Sequence, residues 1–396
     1  MTAIKPTVLY FSRFVPDYRL PIFRALDERL GGRLVICSGD PPESSSLTSL
    51  ISESSQSTGP RRFHLKNRWL GGEKIHWQSW SGALKEYHDA SALLIEESPR
   101  SVSLPFLMRA ARKRKMATAL WGHFSSNNRP LGSGDFRDSR RMNLARSADT
   151  LICYTDEIAS DLRTRLGQDN IFVARNTLDT SILFAEHDRL SAEGKLSIRQ
   201  RLGIADRPTL LFIGRLIKEK GVERVLEVAS KLGGEKVSVI VIGDGPERTN
   251  LEKLAADLNI SALFTGAIAD LKESAPYIAA SDVLLNPGYL GLSVNHAFSL
   301  GVPVVAPRTT TSDVRGHSPE WAYVSPGETG EFAASDSIED LSASTLKVLC
   351  DQSRYSRAAA AFSRSELSLE RMVDGLEQAI EFAETSAKSA RGTSSK

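Results

Sequence analysis

The sequence is poor in features that mark several classes of protein. Its three cysteines, Cys37, Cys153 and Cys350, are far apart and show no Cys-x-x-Cys spacing, which argues against a disulfide framework or a thiolate metal site. No apolar run approaches the ~18 residues of a membrane span. The 50 Lys and Arg nearly balance the 48 Asp and Glu, so nucleic acid is not expected as the main partner. We therefore expect a cytoplasmic protein whose membrane contact, if any, is peripheral.

Several catalytic signatures are also missing. There is no P-loop and no Gly-x-Ser-x-Gly, which argues against Walker-type nucleotide hydrolysis and the usual α/β-hydrolase chemistry. The seven histidines are scattered, and no Asp-x-Asp, His-x-x-x-His or His-Glu-x-x-His is found. We therefore expect no metal site and no bound cofactor.

What is present is an alternation of short apolar, β-branched runs with segments of helical period. This pattern is typical of βα units and predicts an α/β protein with parallel sheets buried on both faces. At 396 residues the chain should form two domains of about 200 residues each. The predicted strands are residues 8–11, 34–37, 92–95, 117–121, 150–154, 210–213, 238–242, 283–286 and 303–306.

An internal similarity suggests where the second domain begins. Residues 5–13 and 207–215 each enter an apolar strand through Pro and leave it into a loop with Arg, by duplication or by chance. The predicted domains are 1–190 and 207–372, followed by 373–396 as a helix crossing back to the first domain and a disordered tail. The polar segment 186–205 suits a connector. Residues 38–59, rich in Ser, Pro, Thr and Gly, suit a mobile loop.

The strongest chemical signal opens the second domain. After the strand at 210–213 the chain turns at Gly214, presents Arg215 and brings Lys220 back before the next helix. Two cations at the carboxyl edge of a parallel sheet can flank a diphosphate. In isolation they could equally be solvated surface charges.

Further strands end in glycine. Gly243 and Gly245 follow the strand at 238–242, but they do not complete a dinucleotide fingerprint. Thr265 and Gly266 end the next apolar run. A glycine-containing loop at 286–292 then precedes an apolar helix, whose free amides and positive dipole end could bind an anion.

Taken in order, Gly-Arg-Leu-x-x-x-Lys-Gly, Gly-Asp-Gly-Pro, Phe-x-Gly and Gly-Leu-x-x-x-x-Ala-x-x-x-Gly-x-Pro-Val-Val-Ala resemble the retaining glycosyltransferase family 4 over residues 150–380. Residues 17–23 are similar to members that build bacterial surface polysaccharides. The resemblance implies the GT-B architecture, two Rossmann-like domains with parallel sheets facing across a cleft. It also implies metal-independent transfer, with retention, from a UDP- or GDP-sugar to a polysaccharide, lipid-linked or small-molecule acceptor.

The resemblance also implies roles for individual residues. Arg215 and Lys220 would clamp the diphosphate and neutralise charge on the leaving group. His123, in Trp-Gly-His after the strand at 117–121, would approach the transferred sugar on domain closure. The other expected donor contacts are Gly214, Gly243, Gly245, Thr265, Gly266, Gly288, Tyr289, Gly291, Leu292 and His296.

One departure from the family pattern affects function. The family commonly has two glutamates separated by seven residues, and these places hold Gly288 and His296 here. His296 could bind ribose through a ring nitrogen, and Tyr289 could substitute for the other glutamate. The alternatives to a divergent transferase are a catalytically silent nucleotide-sugar-binding or scaffold protein and a nucleotide-sugar epimerase on the same fold.

Other polar residues have two interpretations. His123 and His296 could be packed, hydrogen-bonded histidines rather than ligands. Arg13 and Arg19 are expected to be ordinary surface charges rather than acceptor contacts. The basic segment 109–115 could attract anionic lipid headgroups or simply be a solvated helix end, because basic residues suit a helix C-terminus.

Overall fold

A computed structural model describes residues 6–42, 59–124, 136–308 and 318–393. The chain divides into two compact units. The first comprises residues up to 178 together with the segment from 370 onward, and the second comprises 179–369. Most of the predicted mobile loop, residues 43–58, lies outside the described residues.

The first unit contains a parallel sheet in the strand order β3-β2-β1-β6-β7-β8-β9 and a separate antiparallel hairpin of β4 and β5. Its described strands are β1 (Val8–Phe11), β2 (Leu34–Ser38), β3 (Arg61–His64), β4 (Asn67–Leu70), β5 (Ile75–Gln78), β6 (Ala92–Glu96), β7 (Ala117–Gly122), β8 (Thr150–Cys153) and β9 (Ile171–Val173). Its helices up to residue 178 are α1 (Leu20–Arg29), α2 (Ser81–Glu86), α3 (Leu104–Lys113), α4 (Phe136–Ser147) and α5 (Asp156–Leu166).

The second unit begins with α6 (Thr180–Glu193) and α7 (Lys195–Arg201). Its parallel sheet has the order β12-β11-β10-β13-β14-β15. The strands are β10 (Thr209–Ile213), β11 (Ser238–Ile242), β12 (Ser261–Gly266), β13 (Val283–Leu285), β14 (Val304–Pro307) and β15 (Gly330–Ala333). The remaining described helices are α8 (Val222–Lys231), α9 (Arg248–Asp257), α10 (Leu271–Ala279), α11 (Ser293–Ser299), α12 (Ile338–Cys350), α13 (Gln352–Glu366) and, in the first unit, α14 (Leu369–Thr393).

Both parallel sheets reverse their strand order at the first strand. The chain runs outward from β1 to β2 and β3, then returns to β6 on the other side of β1. The second sheet repeats this with β10, β11, β12 and then β13. In doubly wound sheets, ligands bind outside the carboxyl ends of the strands at this reversal. Each unit therefore offers a ligand crevice where its first strand ends.

The predicted strands all correspond to observed strands, and no strand end differs by more than one residue. Within each unit these strands are largely buried and apolar, as expected of parallel strands covered on both faces. The unpredicted strands lack that pattern. β3 lies at the edge and is mostly exposed, β9 has three residues, and β15 includes a buried glutamate, Glu331.

The boundaries of the units differ from those predicted. The first unit ends at residue 178 rather than 190, and the expected connector at 186–205 is largely helical, in α6 and α7. Leu183 and Leu190 of α6 are buried, and α6 packs against α10 and α11 of the second unit. Most of the α6 surface is polar, but a narrow apolar stripe packs it against α10 and α11.

The C-terminal helix α14 groups with the first unit and is longer than expected. It continues to Thr393, through most of the segment from residue 385 for which a disordered tail was predicted. Glu384 pairs with Arg33 at 2.9 Å, and the ring of Phe382 lies 5.6 Å from that of Phe172. None of the described helices is long and apolar enough to cross a membrane.

Candidate active site

The crevice of the second sheet is built by the loops that follow β10, β11 and β13. The amide of Gly214 donates to the carbonyl of Ile242 at 3.0 Å, and the amide of Leu216 donates to that of Asp244 at 2.9 Å. The loop after β10 therefore continues the sheet pairing beyond the strand ends. The two loops form one layer of backbone at the carboxyl edge.

Gly243 and Gly245 are required by this layer. A Cβ on Gly243 would lie 1.8 Å from the carbonyl oxygen of Gly214, and one on Gly245 would lie 2.4 Å from that of Leu216. The family resemblance implied that these glycines contact the donor. In the structure it is the protein's own backbone that approaches them, and their contact with a nucleoside stays a prediction.

Thr265 and Gly266 adjoin this layer from β12. The amide of Gly243 donates to the carbonyl of Gly266 at 2.9 Å. The Thr265 hydroxyl donates to the carbonyl of Gly266 at 2.9 Å or of Val241 at 3.3 Å. The side chain of Thr265 is therefore committed to the backbone, so any nucleoside contact here would be made by main-chain atoms.

Lys220 is the most unusual side chain of the crevice. It ends the 3-10 turn before α8, and only 9% of it is exposed. Its Nζ donates to the carbonyl of Tyr289 at 2.8 Å and lies 3.5 Å from the centroid of the Tyr289 ring. Burial lowers the pKa of Lys220 to about 8, Arg215 acts in the same direction, and Glu320 opposes them. A buried ammonium held by one carbonyl and one ring keeps capacity for an anion.

Arg215 belongs to the same loop and is exposed. Its positive charge is close enough to Lys220 to help lower the pKa of that lysine. The two predicted clamp residues are thus brought together at the reversal of the second sheet. Two cations placed side by side repel each other unless an anion lies between them.

The loop between β13 and α11 carries the departure from the family pattern. A Cβ on Gly288 would lie 2.7 Å from the carbonyl oxygen of Glu219 and 2.8 Å from the Cα of Lys220. Real Cβ atoms essentially never come this close to backbone. The position that holds glutamate in the family is therefore closed to any side chain here. The loop instead lies directly against the turn that carries Lys220.

The end of this loop is more open. A Cβ on Gly291 would meet no atom within 4 Å. Helix α11 starts at Ser293 after Leu292 and has seven residues, so its dipole is smaller than that of a long helix. The predicted phosphate contact of Gly291 and Leu292 with this helix end stays a prediction.

His296 occupies the place of the second family glutamate and is half-buried on α11. Burial lowers its pKa to about 4, so the ring is neutral at pH 7. A neutral imidazole can donate or accept one hydrogen bond with a hydroxyl but cannot offer a charge. Ribose contact by His296 stays a prediction.

Asn286 is a candidate that the sequence reasoning missed. It follows β13 at the sheet reversal and is 1% exposed. Among the described residues, neither its Oδ1 nor its Nδ2 has a hydrogen-bond partner. Such an amide costs about 1–3 kcal/mol of stability, and it needs an explanation in a native protein. A sequence signal existed, because a polar residue directly after an apolar strand at a sheet reversal is a ligand position.

The equivalent crevice of the first unit contains a partly buried ion pair. Arg13 follows β1 and contacts Glu96 of β6 at 2.9 Å, while the Ser12 hydroxyl donates to the same carboxylate at 2.7 Å. Burial alone would raise the pKa of Glu96, but the charge and hydrogen bonds of Arg13, together with Ser12, hold it at about 2. The expectation that Arg13 is an ordinary surface charge is wrong.

His123 lies after β7 in the same unit. Its ring centroid is 4.7 Å from that of Tyr154. Burial lowers its pKa to about 4, and the charges of Arg19 and Arg141 add to this effect. Arg19 lies 4.9 Å above the buried Trp121 ring and donates to the Tyr154 hydroxyl at 3.2 Å, so it is not an ordinary surface charge either. The neutral His123 shares this aromatic cluster, which suits contact with a sugar hydroxyl.

Residues 195–363, which include the crevice of the second sheet, match the family model of glycosyl transferases group 1. The chain is a glycosyltransferase whose match to the group 1 family covers residues 195–363. Similar proteins include the lipopolysaccharide core biosynthesis glycosyltransferase LpsE of Rhizobium meliloti, 27% identical over 65% of this chain and 73% of LpsE. A GDP-mannose-dependent alpha-(1-6)-phosphatidylinositol dimannoside mannosyltransferase of Mycobacterium tuberculosis is 28% identical over 54% of this chain and 57% of its own length.

Solved structures extend the similarity of this glycosyltransferase to the whole fold. HepE of Anabaena in complex with UDP aligns with a TM-score of 0.66 and 15% identity over 96% of this chain and all of HepE. A sucrose-phosphate synthase of Thermosynechococcus elongatus gives the same TM-score over 95% of the chain, with 16% identity. The predicted α/β class and GT-B fold are confirmed, and the family resemblance is confirmed as well.

The described part of the glycosyltransferase contains no group of three or more His, Cys, Asp or Glu side chains that could hold a metal ion. Metal-independent transfer stays a prediction.

Proposed function

We propose that this glycosyltransferase moves a sugar, with retention of anomeric configuration, from a nucleotide-diphosphate sugar to a polysaccharide, lipid-linked or small-molecule acceptor. The observation that carries the proposal is the buried Lys220 ammonium beside Arg215 at the reversal of the second sheet. A pyrophosphate bound between the two cations would offset their mutual repulsion. The UDP complex of HepE supports a donor with this leaving group.

In the proposed reaction the bond from the anomeric carbon to the diphosphate oxygen breaks, and its electron pair goes to the diphosphate. The acceptor oxygen forms the new bond to the anomeric carbon, and its proton passes to the departing phosphate oxygen. Arg215 and Lys220 stabilise the negative charge that grows on the diphosphate. Fixed cations of this kind act where charge develops, and losing one costs roughly 100–1,000-fold in rate.

Other residues are proposed to hold the donor without charge. No glutamate stands at 288 or 296, so hydroxyl groups would be held by neutral donors and acceptors, namely His296 and the Asn286 amide. His123 is proposed to hydrogen-bond a hydroxyl of the transferred sugar as a neutral imidazole. Main-chain atoms around Gly243, Gly266 and Gly291 are proposed to contact the nucleoside and phosphates.

The test is nucleotide-sugar turnover by Arg215→Ala and Lys220→Ala, with a panel of UDP- and GDP-sugars screened first by thermal shift. Both variants should keep the fold and lose turnover by at least about a hundredfold. The matched control is Lys218→Ala, since Lys218 is an exposed cation of the same loop. Normal rates in both clamp variants would refute the assignment.

The same preparation separates the alternatives. A silent binding protein would bind UDP or GDP in calorimetry yet never release nucleotide from a donor sugar. An epimerase would change the donor sugar without any acceptor. Retention is checked by the anomeric proton coupling of the product, and an inverted product would refute that part of the proposal.

A further inference from the structure

The hairpin of β4 and β5 is folded with its apolar side outward. In its register Arg68 pairs with Trp77 and Leu70 pairs with Ile75. Because side chains of a strand alternate between faces, these four residues share one face. Leu70, Ile75 and Trp77 are 56%, 44% and 37% exposed. Antiparallel strands of a water-soluble domain normally turn their apolar face to the core, so this arrangement is inverted.

Hydrogen bonds on the inward face of the hairpin fix which of its two faces points to solvent. His76 and Gln78 are 1% and 6% exposed. The Gln78 Nε2 donates to the Ser12 carbonyl at 2.8 Å and to Asn67 Oδ1 at 3.1 Å, and His76 Nε2 contacts the same oxygen at 3.1 Å. A one-residue shift of register would break these bonds. The outward apolar face is therefore a fixed feature of the fold.

Helix α3 extends this face. Phe106 is 49% exposed and its ring centroid lies 6.0 Å from that of Trp77. Arg109 and Lys113 follow Phe106 at helical spacing and are exposed. We call Leu70, Ile75, Trp77 and Phe106 the apolar patch. It is a single surface built from two elements, with cations beside it.

The sequence segments that contribute Leu70 and Phe106 to the apolar patch are rich in basic residues. Residues 100–115 contain six Lys or Arg and no Asp or Glu, and residues 61–74 contain five Lys or Arg and one Glu. The whole chain has a formal charge of only +2. These two segments therefore carry a net positive charge that the rest of the chain largely offsets.

A cavity of about 410 Å³ opens at the C-terminal end of α3. Its lining includes apolar, basic and acidic side chains, namely Met108, Met116, Arg112, Lys115, Arg146 and Asp149. Asp149 accepts hydrogen bonds from the amide and hydroxyl of Thr118 at 2.7 and 2.8 Å, so its charge is already engaged. Arg112 also donates to the carbonyl of Ser147 at 3.0 Å, and Lys115 and Arg146 add positive charge to the same lining.

We propose that the apolar patch and its basic surroundings dock this protein on an anionic lipid bilayer. Aromatic and aliphatic side chains enter the boundary between headgroups and acyl chains, while Arg109, Lys113 and their neighbours contact lipid phosphates. A second copy would bring the same positive charge to the contact and be repelled. Nucleic acid would leave Leu70 and Ile75 without an apolar partner. The inference does not depend on the donor proposed above.

The experiment is flotation of the full chain with vesicles of phosphatidylcholine containing phosphatidylglycerol, or of phosphatidylcholine alone. Binding should need phosphatidylglycerol and weaken with salt. The double variant Arg109→Gln, Lys113→Gln should bind roughly thirtyfold more weakly, from about 1 kcal/mol per cation. The double variant Trp77→Ser, Phe106→Ser should lose at least about tenfold.

Matched controls come from the second unit. Leu346→Ser removes an apolar side chain that is 52% exposed, and Lys253→Gln with Lys272→Gln removes two exposed cations. These variants should float like the wild type. Thermal midpoints check folding, and the single variant Leu70→Ser tests the patch with the least disturbance.

Equal flotation on neutral vesicles, or patch variants that float like the controls, would overturn the proposal. So would light scattering that shows a dimer converted to monomers by the patch variants, because the face would then contact a second copy. Nucleotide-sugar turnover measured without lipid should be unchanged in the patch variants. A protein that floats but never turns over a donor would refute the proposed reaction and leave the docking surface intact.

Discussion

Gly288→Ala tests how the β13–α11 loop supports Lys220. The added Cβ would lie 2.7 Å from the carbonyl oxygen of Glu219 and 2.8 and 2.9 Å from the Cα and carbonyl oxygen of Lys220. All three are backbone atoms, so no rotamer change can relieve the contacts. The loop and the turn must separate, which moves the Lys220 backbone and its ammonium away from the Tyr289 carbonyl.

The magnitude follows from two effects. Overpacking of this kind costs about 1–3 kcal/mol, which for a unit of this size lowers the thermal midpoint by roughly 2–10 °C. A displaced ammonium also loses a charge-assisted hydrogen bond to the proposed pyrophosphate. Such a bond is worth about 1.5–3 kcal/mol, so affinity for UDP or GDP should fall roughly tenfold to a hundredfold. Gly288→Glu should not raise turnover above that of the wild type, although it supplies the family carboxylate, because its Cβ would make the same backbone contacts.

The assay is thermal unfolding together with calorimetric titration of UDP and GDP. Gly291→Ala is the matched control, because it lies three residues away in the same loop and its Cβ would meet nothing within 4 Å. The control should change neither midpoint nor affinity appreciably. If Gly288→Ala behaves like Gly291→Ala, the close contact between the loop and the Lys220 turn is wrong.

Two further predictions concern neighbouring side chains. The pKa of Lys220 is lowered to about 8 by burial and by Arg215, against Glu320, so its positive charge is present below that pH and lost above it. Affinity for UDP should therefore fall as pH rises through about 8 in calorimetry, and Lys220→Arg should lack this fall. Asn286→Leu should raise the thermal midpoint without ligand, by removing an unpaired buried amide worth about 1–3 kcal/mol, yet weaken binding of the donor sugar. A lower midpoint would contradict the unpaired state of Asn286.

The strands of the sheets were largely predictable because burial on both faces leaves a run of mostly apolar residues without alternation. Residues 8–11 and 238–242 coincide with β1 and β11. The hairpin of β4 and β5 was not predictable in the same way. Its apolar residues face outward, so its pattern resembles that of a strand packed on a core.

The loops of the candidate site were predictable in position. In a parallel sheet every strand ends at the same edge, so Arg215, Lys220 and the glycines after β11 and β13 had to be neighbours. The failure at Arg13 has the same origin. The local sequence around a charged residue that follows a strand does not show whether a distant carboxylate pairs with it. The partner of Arg13 is Glu96, 83 residues away in the chain.

The sequence by itself determined the class of fold, the order of the loops at the sheet edges and the family. These depend on local periodicity and on short motifs. Only the tertiary structure decided that Tyr289 holds Lys220 from 69 positions away, that Gly288 admits no side chain and that one hairpin presents its apolar face to solvent. The physical reason is that contact, burial and the resulting pKa depend on which distant segments meet, and no local pattern carries that information.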